Sequence, residues 1–262
     1  MQFSDVLRSF QKTADGWTAN VPEDWLIGRT TFGGLQAALA AKAMRELLPD
    51  AALPLRTVQC TFLAPVAAGP VALRAEVLRT GKNAVHVQAR LMAGEQVLAV
   101  VIGVFGSSRE SAVRVLPAQP AVESPKPLMF GYVPGITPTF TQHFRARWLR
   151  GGLPYSGSTL PQNIVEVGLN DDGPTTESHV MALADFVPPV AMTFLKKPAP
   201  GGTLTWMMEF FSDRFDDLPL QNWRVDVDLV AAVDGYTSQS VMVWGPGGEP
   251  VAISRQSMVV FG

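Results

Sequence analysis

Two stretches of this chain are strongly apolar on every side, and each is followed by runs in which apolar and polar positions alternate. The first, Leu35 to Leu48, is rich in Ala, Leu, Met and Lys, which favour helix, and Pro49 stops it. Its apolar positions (Leu35, Ala38, Leu39, Ala41, Ala43, Met44, Leu47) leave no polar face, so the helix is expected to be buried, with alanines allowing close approach to a sheet. Four strands are expected after it: Leu55–Leu63, ending at Ala64-Pro65, then Val71–Arg79, Asn83–Met92 and Gln96–Phe105. The joints Thr80-Gly81-Lys82-Asn83 and Ala93-Gly94-Glu95 are good hairpin turns. Residues 1–30 read as turns and short strands, with a hairpin signal at Asp15-Gly16. One buried helix followed by an antiparallel meander is the order of a sheet wrapped around a central helix.

The second half repeats the plan. Phe140–Leu149 and Asn163–Leu169 are expected strands, with a turn at Asn170-Asp171-Asp172-Gly173. Thr176–Val187 is the expected helix, with Thr175 or Thr176 as N-cap and Pro188-Pro189 as its stop. Strands follow at Thr203–Phe211, Trp223–Val233, Gly235–Trp244 and Val251–Phe261. The last strand of each half carries the same signature: a Gly-Glu turn, at Gly94-Glu95 or Gly248-Glu249, then an apolar run closing on Val-Phe-Gly. A repeat spanning about half the chain points to two copies of one small domain. The boundaries read as residues 1–108 for the first, 109–127 for a linker and 128–262 for the second. Ser107, Ser108, Pro117, Pro120 and Pro125 mark the extended connection. The fold class is therefore α+β, a tandem pair of antiparallel sheets each wrapped around a central helix. The two sheets are expected to pair edge to edge, because each alone exposes an edge and holds a small core. The clearest chemical difference between the copies is Gln256, whose counterpart by register from the shared Val is Ile102.

Composition narrows the function. At 262 residues, 47% hydrophobic and 17% charged, the chain is an ordinary core-forming protein. A net charge of -2 argues against nucleic acid as a partner. A lone cysteine, Cys60, rules out an intramolecular disulfide and suits a reducing cytoplasm. It sits in a strand-like run, where a buried thiol is the expected reading over a nucleophile. No secretory signal or membrane-length apolar run is read, and His86, His143 and His179 have no metal-ligand spacing, so no metal is expected.

Several short motifs, in order, resemble those of the double-hotdog acyl-CoA thioesterases. Phe32-Gly33-Gly34-Leu35 opens the first helix as the family's Phe-Gly-Gly does. Phe62-Leu63-Ala64-Pro65 is similar to its Phe-Leu-Arg-Pro, with Ala64 in place of the Arg, and Leu78-Arg79-Thr80-Gly81-Lys82 to its Leu-Arg-x-Gly hairpin. Leu183-Ala184-Asp185-Phe186 resembles the Ser-Asp-Phe segment, and Asp234-Gly235-Tyr236 and Ser254-Arg255-Gln256 resemble motifs of the thioesterase-like branch. The resemblance implies a tandem hotdog fold and hydrolysis of acyl-CoA to free acid and coenzyme A, a hydrolase of lipid metabolism. No cofactor is implied beyond the coenzyme A of the substrate. It also implies a catalytic water held by an Asp, a Ser or Thr, and a Gln. Gln256 falls on the Gln position, but the Asp position falls on Thr205 and the hydroxyl position near Val230-Ala231.

Chemistry supplies the remaining candidates. Thioester hydrolysis needs a carboxylate to activate water and donors for the oxygen that becomes negative. The helix N-terminus at Gly33-Gly34 offers unpaired amides and room for close approach, although the same glycines would also serve tight helix–sheet packing. Asp185, alone in an apolar stretch, is the first candidate base, with the alternative that it merely bonds nearby backbone amides. Glu209 is the second, sharing a strand face with Thr205 and Met207, though a cross-strand ion pair is the stronger reading of it. Thr205 could orient water but not act as base. Gln256 in an apolar strand needs a partner, since an unpaired buried amide costs about 1–3 kcal/mol. Arg79, Lys82 and Arg29 could bind coenzyme A phosphates. Methionines at 44, 181, 192, 207 and 208 read mainly as core, with an acyl tunnel as a further use. Two other functions stay open: a catalytically silent acyl-CoA or lipid-binding protein, and a hotdog hydratase, for which Asp24 is present but no histidine stands beside it. Whether the chain forms a homo-oligomer is left open by the sequence.

Overall fold

The computed structural model describes every residue except 51, 124, 125 and 262, so Pro125 of the expected linker and the terminal Gly262 lie outside the described residues. The chain opens with α1 (Phe3–Arg8), where the pattern predicts only turns and short strands. Phe3 and Val6 are fully buried one helical turn apart, a signal too short for periodicity to register. A hairpin follows, β1 (Gln11–Thr13) and β2 (Gly16–Val21), turning at Gly16. There φ is +140° and a Cβ would lie 2.2 Å from the Leu73 carbonyl oxygen, so only glycine fits. The short pair β3 (Leu26–Ile27) and β4 (Thr30–Thr31) leads into α2 (Gly33–Arg45). The helix α2 is almost wholly buried. It stops before the expected Leu48 because the amides of Leu47 and Leu48 tighten onto the carbonyls three residues back, at Met44 and Arg45.

The meander is β5 (Leu55–Phe62), β6 (Gly69–Thr80), β7 (Ala84–Ala93) and β8 (Gln96–Gly106). The described residues of 107–127 contain no helix or strand. The second half supplies β9 (Leu128–Phe130), β10 (Phe144–Arg150), β11 (Gln162–Leu169), α3 (Glu177–Ala184), α4 (Ala191–Phe194), β12 (Gly201–Phe210), β13 (Trp223–Val233), β14 (Tyr236–Trp244) and β15 (Pro250–Val260). Residues Thr139–His143 form a short 3-10 turn, which takes up the start of the strand expected from Phe140. Helix α3 starts after Thr176, whose backbone amide donates to His179 Nδ1, and ends before Asp185. Its end comes earlier than the expected Val187 because Pro188 and Pro189 cannot donate the next amides.

The two expected sheets are one. Thirteen strands run in the order β1-β2-β6-β7-β8-β5-β12-β15-β14-β13-β11-β10-β9. The halves join where β5 and β12 pair antiparallel, from Thr61 opposite Thr205 to Thr57 opposite Glu209. Helices α2 and α3 lie antiparallel against each other on the inner face. A Cβ on Gly34 would stand 2.9 Å from the Ala182 Cα at one end, and Arg45 pairs with Glu177 at the other. The core fills both sides of this helix pair with apolar side chains from every long strand. Antiparallel packing sets the N-terminus of α2 beside the C-terminus of α3, and that corner holds the candidate site.

Candidate active site

Asp185 is the residue that closes α3, and it reaches the first turn of α2. Its Oδ2 accepts from the Gly34 backbone N–H at 2.7 Å and its Oδ1 from the Gln256 side-chain amide at 2.7 Å. The glycine before Gly34 makes this approach possible: a Cβ on Gly33 would stand 2.7 Å from that same Oδ2. Gly34 serves packing as well, since its Cβ would press on Phe32 at 2.8 Å. Two influences act on the carboxyl in opposite directions. Burial raises its pKa, while the Gly34 amide and Gln256 lower it, and burial wins, leaving it pushed up to about 7. The residue as a whole keeps a partial exposure, while its carboxyl is desolvated by its surroundings. Phe186, the next residue, packs at 4.8 Å from Phe144 in an aromatic cluster that also holds Phe32 and Phe140, which accounts for the apolar surroundings.

Gln256, only 1% exposed, points inward from β15. Its carbonyl oxygen accepts from Gln239 Nε2 at 2.7 Å, and Gln239 Oε1 accepts from the Val190 backbone N–H at 3.1 Å. Trp206 stands directly opposite Gln256 in the ladder, and Cys60 opposite Trp206. The Trp206 indole N–H is buried without a hydrogen-bond partner among the described residues. The Cys60 thiol is buried near Asp185, and both burial and that carboxylate push its pKa up. It stays protonated, which fits the buried-thiol reading and not a nucleophile.

The structure brings together Gly33, Gly34, Asp185 and Gln256 and leaves the other candidates elsewhere. Thr205 is exposed on the outer face, in register with Thr61 and Ser257. The reason is an irregularity between Thr203 and Thr205 that offsets the strand's alternation. The inward hydroxyl at this place is Thr203, which pairs with Met258 on the face that carries Gln256. Glu209 is exposed on the outer face with Thr205. Val230 and Ala231 are exposed near the end of β13. Arg79 and Lys82 lie exposed at the β6–β7 hairpin. That hairpin abuts the end of β8, where Arg45 at the C-terminus of α2 lies 5.2 Å over the Phe105 ring, so the length of α2 separates it from Asp185. Arg29 is exposed in the turn between β3 and β4, four residues before Gly33.

The comparison between halves also shifts. Ile102 is not the partner of Gln256, because it points outward while Gln256 points inward. Each last strand has one extra residue near its start, Leu98 in β8 and Val251 in β15, where the pairing register breaks. Matching these bulges sets Gly103 against Gln256. The neighbours of Gly103 are Val58 and Val87, where Gln256 has Trp206 and Gln239. A Cβ on Gly103 would meet Met44 Sδ at 3.0 Å. The position of Gln256 is therefore polar, and the matching space over Gly103 is filled with hydrocarbon and sulfur. Among the described residues no group of three or more His, Cys, Asp or Glu is placed to hold a metal ion, and no helix is long and apolar enough to cross a membrane.

Comparison with known proteins agrees with this architecture. The acyl-CoA thioesterase N-terminal domain matches residues 21–106, and the acyl-CoA thioesterase C-terminal domain matches residues 114–260. The chain belongs to the acyl-CoA thioesterase family. A hot dog fold protein of unknown function from Alicyclobacillus acidocaldarius superposes with a TM-score of 0.88 at 22% identity, covering 99% of this chain and 98% of that one. The tesB protein of Mycobacterium avium subsp. paratuberculosis gives a TM-score of 0.79 at 15% identity over 100% of both chains. The acyl-CoA thioesterase II TesB2 of Mycobacterium marinum gives 0.76 at 16% identity over 100% of this chain and 97% of that one. At such identities these likenesses establish the fold. A search of curated protein sequences returned no match.

Proposed function

We propose that this protein hydrolyses an acyl-CoA thioester to the free acid and coenzyme A, with water activated by Asp185. The observation that carries the reading is the Asp185 carboxyl, clamped between the Gly34 amide and Gln256 and tuned to about 7. A base with that pKa is half ionised near neutral pH and can both take and return a proton. In the proposed reaction Asp185 takes a proton from water as the water oxygen bonds to the thioester carbon. The C=O electron pair moves onto oxygen. Collapse of the tetrahedral intermediate breaks the C–S bond, and the coenzyme A thiolate leaves with the proton held by Asp185.

The donors for the negative oxygen differ from the expectation that both glycine amides serve it. The Gly34 amide is already taken by Asp185, where the positive end of α2 favours the ionised carboxylate. The Gly33 amide and the orphan indole N–H of Trp206 are the donors we assign to the oxyanion. Arg29, exposed in the β3–β4 turn four residues before Gly33, is our candidate for the coenzyme A phosphates, in place of Arg79 and Lys82. The test uses purified protein, a panel of acyl-CoA chain lengths and a thiol reagent that reports free coenzyme A. Turnover of at least one chain length is expected. No release above background for any of them overturns the proposal, and an acyl-CoA that binds without cleavage would establish the silent-binder alternative.

A further inference from the structure

The amides of Val190, Gln239 and Gln256 follow one another to Asp185 along a path whose polarity is set at one point. Pro188 and Pro189 carry the chain from Asp185 to Val190, so the backbone N–H of Val190 is the first available donor after Val187 on this segment. A backbone N–H can only donate. It therefore requires the oxygen of Gln239, 3.1 Å away, to face it. The NH2 of Gln239 must then face the next group, the Gln256 oxygen at 2.7 Å. With its oxygen engaged, Gln256 has only its NH2 left to present to Asp185, at 2.7 Å. The assignment of oxygen and nitrogen in both glutamines thus follows from hydrogen-bond logic.

We propose that Gln239 is a positioning residue that locks Gln256 with its NH2 toward Asp185, transmitting the fixed direction of the Val190 amide into the site. This deepens the thioesterase reading and rests on it for its catalytic meaning, but the geometry stands by itself. Gln239 is 1% exposed and touches neither Asp185 nor the α2 N-terminus through any hydrogen bond found among the described residues. Without it, Gln256 can rotate its amide by half a turn and set an oxygen against the carboxylate. A rotated Gln256 repels the ionised carboxylate instead of donating to it, so the Asp185 proton is held more tightly. Cross-strand pairing explains why Gln239 can reach: it lies directly opposite Gln256 on β14. The matching position in the first half, Val87, has no amide to orient because its partner is Gly103. Of the titratable groups, the Cys60 thiol on β5 faces Asp185 and stays protonated through burial, while the contacts from α2 and β15 are neutral.

The experiment is a two-by-two cycle on the full chain: wild type, Gln239→Met, Gln256→Leu and the double variant. In each, the Asp185 carboxyl is titrated by carbon-detected NMR, and kcat is followed against pH where turnover exists. Gln239→Met, similar in length and uncharged, is expected to raise the Asp185 midpoint by about 0.5–1 pH unit, moving the acid limb of kcat with it. In the Gln256→Leu background the same substitution is expected to leave the midpoint where it is, because nothing remains to orient. An equal shift in both backgrounds, or none in wild type, overturns the proposal. Gln239→Glu is compared in the wild-type and Gln256→Leu backgrounds: ionised Glu keeps the acceptor for Val190 and turns the Gln256 NH2 away from Asp185, so the midpoint should rise more where Gln256 is present than where only the added charge acts. If the NMR shifts follow this pattern while no acyl-CoA is cleaved, the thioesterase reading fails and the orienting role of Gln239 survives.

Discussion

Replacing Asp185 by Asn keeps the shape of the side chain and removes its charge, so the pH dependence of stability and the turnover should be lost together. In the wild type the carboxyl moves from an ordinary 3.8 to about 7 on folding. Between those values the folded chain holds a proton that the unfolded chain has lost. Stability therefore falls as pH rises from about 4 to about 7, is level above that range, and is unaffected below it. At about 1.4 kcal/mol per unit the whole shift corresponds to about 4 kcal/mol. Because the residue is partly exposed, solvent screening reduces this, and about 2 kcal/mol is the working magnitude. Asp185→Asn abolishes this pH-dependent loss. It adds a constant one of about 1–3 kcal/mol, since an amide offers one acceptor where Gly34 and Gln256 both donate. Urea unfolding at about pH 5 and about pH 8 separates the two: the wild type should lose about 1–2 kcal/mol more than the variant over that interval. Turnover in the variant should fall by about 100-fold or more. A variant that keeps full activity removes Asp185 from the chemistry. A wild type that loses no more stability than the variant between the two pH values would show that the carboxyl is not held in a costly environment.

Four further outcomes follow from the same geometry. Gln256→Ala should lower kcat by about ten- to thousand-fold with the fold retained, measured by acyl-CoA turnover alongside thermal unfolding; unchanged turnover would take Gln256 out of the site. Gly33→Ala places a methyl 2.7 Å from Asp185 Oδ2, so it should cut activity at least about tenfold while circular dichroism stays wild-type, and a fully active variant would show that the carboxyl has room to spare. Trp206→Phe removes a buried unpaired donor, and should leave stability equal or improved by about 1 kcal/mol while lowering kcat; a loss of stability with kcat intact would mean the indole bonds a structural partner. Thr205→Val and Glu209→Gln, on the outer face, should each leave kcat within about twofold of wild type, and a large loss in either would contradict the sheet orientation.

The duplicated plan, the two helices and nearly every strand were legible in the chain because alternation and helix-stopping prolines are local signals. The parity of individual strands was less so. Bulges near Thr203 and at Leu98 and Val251 each insert a residue that the sequence does not announce, and each reverses which side chains face the helices. That is why Thr205, taken as a site residue from the resemblance, faces outward and Thr203 inward, and why Ile102 was matched to Gln256 in place of Gly103. Asp185 was found by a different signal, an isolated acid in an apolar helix end, which no bulge disturbs. Gln239 carried its own trace: a glutamine sharing alternation with Thr237, Val241 and Val243, all buried. What no single-strand pattern could supply was its contact with Val190, since that depends on how the Pro188-Pro189 turn folds back over the sheet.

The two corners of the helix pair show how a duplicated fold can concentrate polarity in one place. Each corner joins a helix N-terminus, the end of the partner helix and the inward residue of a final strand. At one, Gly33 and Gly34 make room for Asp185, and Gln256 and Gln239 supply donors in a fixed direction. At the other, Glu177 at the start of α3 is paired with Arg45, and Met44 fills the space over Gly103. The difference is physical as well as chemical. A buried carboxylate is tolerable only where donors converge on it, and here they come from two separate elements, α2 and β15, with Gln239 of β14 fixing the direction of the second. Met44 with Gly103, Val58 and Val87 needs no partners and contributes apolar packing instead. Apolar packing over Gly103 and the Arg45–Glu177 pair therefore hold one end of the helix pair, and the cost of desolvating the Asp185 carboxyl is confined to the other.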